Sequence, residues 1–472
     1  MNAKSAREDD IVPKKGLIMR DEAIGAIFEP DSIAIAGASR DPEKAGYLIL
    51  KNLVETGFKG KVFPVNPKVQ EILGLKAYTS VEDIPEPIDL TVIVVPAPVV
   101  PEVLRQCARK KVKSAVIISG GFRETGKQGE ELEESLIEII HETGIRVVGP
   151  NCIGVDNPYV GMSMWVGVKK EGPLGIVTQS GLVGTALECW AEKEGIGISK
   201  CISLGNKIDV NEIDLLRYLA DDPDTRMIAM YVEGVGDGRK FMEVTSEVSK
   251  KKPIVILKGG RTELGTRAAL SHTRSLSGKS EIFEAAFKQS GMITADGLEE
   301  LYDFSKALSF LPTPNGRGVL IVTSSGGAGI LAADLISKHG LELPRISENA
   351  EKRLRQTLPA HCIFDNPFDL TATTSEAFQL VMEENLHDDN INAFLPIFAD
   401  PLPRAADAVK NVMEKTDKPI VVCYVGGAEV EEQEKAKMHS MGIPVFPSPE
   451  KAVNALCALV RRHELLRRNY LR

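Results

Sequence analysis

Residues 32–40 read Ser32-Ile33-Ala34-Ile35-Ala36-Gly37-Ala38-Ser39-Arg40. Ser32–Ala36 is a short β-branched run, Gly37 turns the chain, and helical spacing resumes over Ala45–Thr56. A strand that ends in a small-residue turn and feeds a helix is half of a parallel crossover unit. The same alternation continues with strands at Lys61–Val65, Leu90–Val95, Ser114–Ile118 and Arg146–Val148. Helical stretches lie between them near Val99–Lys110 and Glu130–His141. This first block is Rossmann-like and closes at Gly149-Pro150-Asn151.

A second block opens at Gly172-Pro173, with strands at Leu174–Thr178, Ile198–Ser203, Met227–Val232 and Pro253–Leu257. Its helices fall near Gly184–Glu194, Glu212–Ala220, Arg239–Lys250, Lys279–Gln289 and Leu298–Leu311. Lys258–Ser277 has no apolar period and is rich in Gly, Ser, Thr and Arg, so it reads as a long functional loop. Pro312-Thr313-Pro314-Asn315-Gly316 is a linker by composition. The third block repeats the scheme with a strand at Gly318–Thr323, a Gly-rich turn and a helix at Gly329–Lys338. Further strands follow at Ala393–Ile397, Pro419–Tyr424 and Pro444–Phe446. The expected order is a disordered polar tail over 1–22, then α/β domains over 23–152, 153–311 and 316–468.

Composition narrows the function. The 472 residues are 43% hydrophobic and 26% charged, ordinary for globular protein, and too many for one core. A net charge of -9 and no long basic run argue against nucleic acid. No apolar run approaches the length of a membrane span, and the polar N-terminus has no signal-peptide core. The cysteines are scattered without a C-x-x-C pair, which gives no zinc site and fits buried thiols in the cytoplasm.

Gly37, Ala38, Ser39 and Arg40 put backbone N–H groups and a small hydroxyl at the carboxyl end of the first strand. Open α/β sheets bind nucleotide phosphates there. The dinucleotide fingerprint is missing, since Asp41, Pro42 and Glu43 follow. No acid claims a ribose at the end of strand two; Lys68 stands there instead and suits the ribose phosphate that CoA carries and NAD lacks. A plain structural turn satisfies the same residues. The run from Gly121 to Gln128 resembles a P-loop but ends in Gln128 where Ser or Thr should hold magnesium, so it is rejected as an ATP site.

Thr178-Gln179-Ser180-Gly181 ends a strand and starts a helix, so Ser180 and Gly181 would offer free N–H groups to an anion. An ordinary N-cap is the alternative. His272 lies in the long polar loop between hydroxyls, in Ser271-His272-Thr273-Arg274. Neutral imidazole is a good nucleophile toward phosphoryl groups, and a carboxylate should orient it. Glu233, at the end of Met230-Tyr231-Val232, is the best-placed carboxylate, although an exposed strand-end acid reads the same way.

Taken together these runs resemble the α subunit of ADP-forming acetyl-CoA synthetases, relatives of succinyl-CoA synthetase. Further matching runs are Val62-Phe63-Pro64-Val65-Asn66-Pro67, Val95-Pro96-Ala97-Pro98, Val148-Gly149-Pro150-Asn151-Cys152-Ile153-Gly154, Ser203-Leu204-Gly205-Asn206-Lys207 with Asp209, and Tyr231-Val232-Glu233-Gly234. The resemblance implies a Rossmann-like CoA-binding domain followed by two flavodoxin-like domains of the succinyl-CoA-synthetase type. It implies CoA contacts at Gly37 to Arg40, Lys68, Val95, Pro96, Ser119, Gly120 and Gly121. It makes His272 the phosphorylated residue and Glu233 its partner. Asn151, Gln179, Ser180, Gly181, Ser271, Thr273 and Arg274 would meet phosphate or substrate.

The implied reaction takes acyl-CoA, ADP and phosphate to a small carboxylic acid, ATP and CoA. The family's ATP-grasp domain is not in this sequence. A separate ATP-grasp β subunit, in an α2β2 assembly, is therefore expected to carry ADP or ATP with Mg2+. Arg274 and Ser277 depart from the family's usual Ser-His-Thr-Gly-Ser-Leu-Ala-Gly, and Ala372-Thr373-Thr374 departs from its Gly-Asp-Ala. A non-catalytic or regulatory CoA-binding relative that kept the fold is the competing reading.

Overall fold

The computed structural model describes residues 15–267, 280–371 and 373–470, with side chains between Glu22 and Arg467. These form two compact units: residues up to Gly167 together with Ser203–Tyr218, and Val168–Ile202 together with the chain from Leu219 onward. Ser203–Tyr218, read from sequence as part of the second block, therefore packs with the first.

The first unit begins with α1 (Lys15–Phe28), followed by β1 (Ser32–Ala36), α2 (Ala45–Glu55), β2 (Lys61–Val65) and the small hairpin β3 (Glu71–Ile72) and β4 (Leu75–Lys76). Then come β5 (Leu90–Ile93), α3 (Val100–Arg109), β6 (Ser114–Ile117), α4 (Lys127–Thr143), β7 (Arg146–Val148) and the antiparallel pair β8 (Val155–Asn157) and β9 (Met162–Ser163). α1 corrects the expected tail: it takes up residues 15–22, and Ile24, Ile27 and Phe28 at its far end are buried. The sheet order is β2-β1-β5-β6-β7, parallel throughout. α3 shows why the helices dock. Val100, Val103, Leu104 and Cys107 fall on one stripe and are all buried.

The second unit holds two more sheets. The first is built from β10 (Glu171–Thr178), α5 (Gly181–Glu194), β11 (Ile198–Ser203), β12 (Met227–Val232), α7 (Gly238–Lys251), β13 (Ile254–Lys258), α8 (Ser280–Gln289), β14 (Ile293–Thr294) and α9 (Leu298–Phe310), while α6 (Glu212–Asp221), between β11 and β12 in the chain, belongs to the first unit up to Tyr218. Its strands run in the order β14-β13-β12-β10-β11. The long loop expected from Lys258 is shorter in its described part, because residues 263–267 are helical. Thr262 starts that turn, its hydroxyl accepting from the Gly265 N–H at 3.1 Å.

The other sheet uses β15 (Val319–Thr323), α10 (Gly326–Lys338), α11 (Glu348–Thr357), β16 (Phe368–Asp369), α12 (Ser375–Glu384), β17 (Ala393–Phe398), α13 (Ala405–Met413), β18 (Val422–Tyr424), α14 (Ala428–Ser440), β19 (Val445–Phe446) and α15 (Pro449–Tyr470). The order is β16-β15-β17-β18-β19. In all three sheets the opening strand lies between the second and third strands of its block, and that arrangement makes a crevice at its carboxyl end. Of the helices in this block only the first was read from sequence.

A buried lysine ties the second unit's two sheets together. Lys306 on α9 is 1% exposed, and its ammonium donates to Glu194 Oε2 and to the Val445 carbonyl, each at 3.0 Å. The Tyr302 hydroxyl reaches the same Glu194 oxygen at 3.0 Å, and the Phe446 ring lies 4.7 Å from the ammonium. Burial is the main cause that pushes the Tyr302 phenol far up, so it stays a donor.

Candidate active site

In the first unit the crevice lies between β1 and β5. The Val94 N–H bonds the Ala36 carbonyl at 2.8 Å, which sets Gly37–Arg40 beside Val95 and Pro96. Gly37 has φ +97, and a Cβ there would come within 2.5 Å of the Val94 oxygen, so only glycine makes this turn. Its N–H is taken by the Val65 carbonyl at 3.1 Å, and the Ala38 N–H by the Ile35 carbonyl at 3.3 Å. Asn66 holds the turn from the other side, donating to the Ala38 carbonyl at 2.8 Å. Arg40 and Lys68 are exposed, and the Arg40 guanidinium bonds the Glu71 carbonyl at 2.9 Å. The turn thus has two cations at its rim and room only for backbone at its base, features that fit a pyrophosphate-bearing ligand.

One strand further on, the Ser119 hydroxyl donates to the Val95 carbonyl, which brings Ser119, Gly120 and Gly121 alongside. The Gly121 N–H is committed to Glu124 Oε1 at 2.7 Å, and the Phe122 N–H to the same oxygen at 3.0 Å. Gly121 therefore offers close approach rather than a free donor, while Gly120 is exposed. Asn151 joins this group through its N–H, which bonds the Ser119 carbonyl at 2.9 Å.

The second unit repeats the crevice between β10 and β12, where Thr178 pairs with Tyr231. Ser180 caps α5 with no side-chain bond to the helix N–H groups. Thr178 fixes it instead: its hydroxyl donates to the Ser180 carbonyl at 2.7 Å and accepts the Ser180 N–H at 3.1 Å. The first turn of α5, with Gly181, so faces the crevice with its dipole unneutralised by its own cap. Glu233 follows β12 and is buried. Gln179 aims it: Oε1 accepts from the Glu233 N–H at 2.8 Å and the Gly234 N–H at 3.3 Å. The Tyr231 hydroxyl lies 3.4 Å from Glu233 Oε1; burial first, then that carboxylate, push its phenol up to about 12. Tyr231 remains a donor toward Glu233 at any ordinary pH.

His272, with Ser271, Thr273 and Arg274, lies outside the described residues. A cavity of about 510 Å³ opens nearer the sheet edge, at the ends of β13 and β14, between Lys258, Arg261, Lys288 and Arg461. It includes neither Ser180 nor Glu233 among its lining residues. In the third sheet the Thr178 turn recurs at Thr323: its hydroxyl bonds the Ser325 carbonyl and N–H, each at 3.0 Å, ahead of an uncapped α10.

Residues 31–158 match the CoA binding domain family, 171–308 the succinyl-CoA ligase like flavodoxin domain, and 319–465 the ligase-CoA domain. The chain is 41% identical over 454 residues to the acetate–CoA ligase [ADP-forming] I subunit alpha of Pyrococcus furiosus, covering 93% of this chain and 97% of that one. It belongs to the family of ADP-forming acetate–CoA ligase α subunits. The acetate–CoA ligase [ADP-forming] I of Archaeoglobus fulgidus is also 41% identical, but this chain covers only 63% of it. The dinucleotide-forming acetyl-coenzyme A synthetase 1 of Ca. Korarchaeum cryptofilum, solved with phosphate and ADP, superposes with a TM-score of 0.88 at 36% identity, over 95% of this chain and 99% of that one.

Three residues of this family member escaped sequence reading. Tyr231 was legible in principle, standing two positions before Glu233 on the same strand face. Glu124 was hidden inside the rejected P-loop run. Asn206 lay in a matched run without any local pattern that gives it a role.

Proposed function

We propose that this chain is the α subunit of an ADP-forming acetate–CoA ligase, an acid–thiol ligase that interconverts acyl-CoA, ADP and phosphate with a carboxylic acid, ATP and CoA. The observation that carries this is the likeness along nearly the full length of a protein named as such a subunit. CoA occupies the crevice of the first unit, with Gly37 to Arg40, Lys68, Val95, Pro96 and Ser119 to Gly121 around it.

Phosphate attacks the thioester carbonyl; a C–O bond forms, the C–S bond breaks, and the thiolate takes a proton to leave as CoA. His272 then attacks the phosphorus of the acyl phosphate. A P–N bond forms, the P–O bond to the acyl group breaks, and the carboxylate departs. Ser180 and Gly181 hold the phosphoryl oxygens at the start of α5, and Glu233 accepts the proton-bearing face of the imidazole. Gln179, Ser271, Thr273 and Arg274 complete the surroundings of the phosphate, and Asn151 meets the substrate. The phosphoryl group finally passes to ADP.

That nucleotide, with Mg2+, sits on an ATP-grasp β subunit in an α2β2 assembly. The Archaeoglobus relative supports a partner, because the match leaves more than a third of it uncovered. A cytoplasmic setting is supported by six buried free thiols.

The test supplies the partner and labelled ATP, then follows acid-labile, base-stable label on this chain. The proposal expects label on the wild type, none on His272→Ala, and turnover lowered on the order of 10²–10⁴ in Glu233→Gln. Equal labelling of His272→Ala would remove that histidine from the mechanism, and no label on the wild type would favour a non-catalytic CoA-binding role.

A further inference from the structure

Asn206 lies 5% exposed in the first unit, far in sequence from every group it holds. Its side-chain amide donates to Glu124 Oε2 at 2.9 Å and to Glu133 Oε2 at 2.7 Å. Its Oδ1 faces the Asn151 amide at 3.4 Å. The backbone joins in: the Asn206 N–H bonds the Pro150 carbonyl at 2.9 Å, and the Arg123 guanidinium donates to the Asn206 carbonyl at 2.6 Å. Arg123 also pairs with Glu133 at 2.6 Å. Glu124 closes the circuit by taking the Gly121 and Phe122 N–H groups on its other oxygen.

The chemistry explains the residue type. Buried Glu133 is paired with Arg123, and the half-buried carboxylate of Glu124 lies beside it. An asparagine amide supplies a donor to each carboxylate and an acceptor toward Asn151 without adding charge. Aspartate would set a third carboxylate among them, and leucine would withdraw both donors. Burial raises the Glu133 carboxyl. Glu124 is also desolvated, but the Asn206 amide and the Phe122 and Gly121 N–H groups outweigh that and hold it low. Gly120 sits inside the same frame, since a Cβ there would lie 3.2 Å from Asn151 Oδ1 and 3.4 Å from Glu124 Oε1.

We infer that Asn206 is a positioning residue for CoA. Acting through Glu124 and Asn151, it sets the Ser119–Gly121 turn and the start of the chain beyond β7 as one surface for the thioester end of the ligand. This rests on the reading that CoA occupies the first unit. It goes further by giving the alignment of that site to a residue with no contact of its own to the ligand. Phosphoryl chemistry in the second unit does not depend on it.

The experiment exploits that separation. CoA affinity is measured by titration calorimetry, and His272 labelling from ATP is measured with the partner present, on wild type, Asn206→Leu and the nearly isosteric Asn206→Asp. Loss of bonds to charged groups weakens CoA tenfold or more in both variants, raises KM for acyl-CoA, and leaves the labelling rate within about twofold. Asn206→Asp keeps the side-chain volume, so an unchanged melting curve marks its loss as one of alignment. CoA binding at wild-type strength in Asn206→Asp overturns the inference. A wild type that labels on His272 but does not bind CoA overturns the reading of the first unit, and the inference with it.

Discussion

Gln179→Met tests how Glu233 is aimed. The change keeps the side-chain length and removes the oxygen that accepts from Glu233 at 2.8 Å and Gly234 at 3.3 Å. Gln179 is 6% exposed, so no bulk water stands ready to replace that oxygen. Taking the acceptor from a buried N–H costs about 1–3 kcal/mol, and the longer second bond adds little. If that loss appears as misplacement of the Glu233 carboxylate, phosphorylation slows between about fivefold and a hundredfold, at about 1.4 kcal/mol for each factor of ten. The assay is single-turnover transfer of label from ATP to this chain with the partner present. CoA affinity serves as the internal control and should stay put. Labelling of Gln179→Met at the wild-type rate would refute the argument, because the two N–H groups would then be held by something other than Gln179.

Three more outcomes follow from the geometry. Asp209 accepts from Arg146 Nε at 2.9 Å and the Val147 N–H at 2.8 Å, while Asp214 stays on Arg146 at 3.0 Å; Asp209→Ala should cost about 2–4 kcal/mol in urea unfolding and Asp209→Asn roughly half that, since the amide oxygen still serves Val147. Gly37→Ala forces φ +97 on an alanine and a Cβ to 2.5 Å from the Val94 oxygen; the strain alone is about 1–2 kcal/mol, and CoA titration should show weakened binding. Burial holds the His439 imidazole below its usual range, with Glu194 opposing and Lys306 and Lys435 adding to that effect. The unfolded chain then takes up a proton that the folded one refuses, so stability falls as pH drops below about 6.5. The urea midpoint of His439→Asn should lose less than the wild type between about pH 7.5 and 5.5.

What was legible in the sequence had short range. β1, β2, β7, β11 and β12 begin and end where their apolar runs do, and the turns at Gly37 and Ser180 showed themselves by small residues at strand ends. α1 was missed because Lys15, Arg20, Asp21 and Glu22 dilute its start, although Ile24, Ile27 and Phe28 carry a buried face. The packing of Ser203–Tyr218 with the first unit is not legible for a different reason. Its ties to the first unit are Asp209 with Arg146, 63 residues away, and Asn206 with Glu133, 73 residues away. Polar pairs of that separation leave no period in the chain. Tyr231 and Gln179 support Glu233 across a strand pair, and such support becomes visible only once the register of β10 on β12 is known.

Lys306 has a bearing on how the second unit can move. Pulling the two sheets apart there would leave Lys306 on Glu194, which belongs to the same sheet's helices, but would take the Val445 carbonyl and the Phe446 ring from its ammonium. Losing a hydrogen bond to a charged group costs about 1.5–3 kcal/mol and the cation–ring contact adds about 0.5–2 kcal/mol, so separated forms would number fewer than about one molecule in twenty. The second unit should therefore behave as a single lever arm, with the helix starts at Ser180 and Ser325 riding on it together. Any motion within the second unit must come from parts that pivot on that arm, and the joint at Lys306 is the fixed bearing.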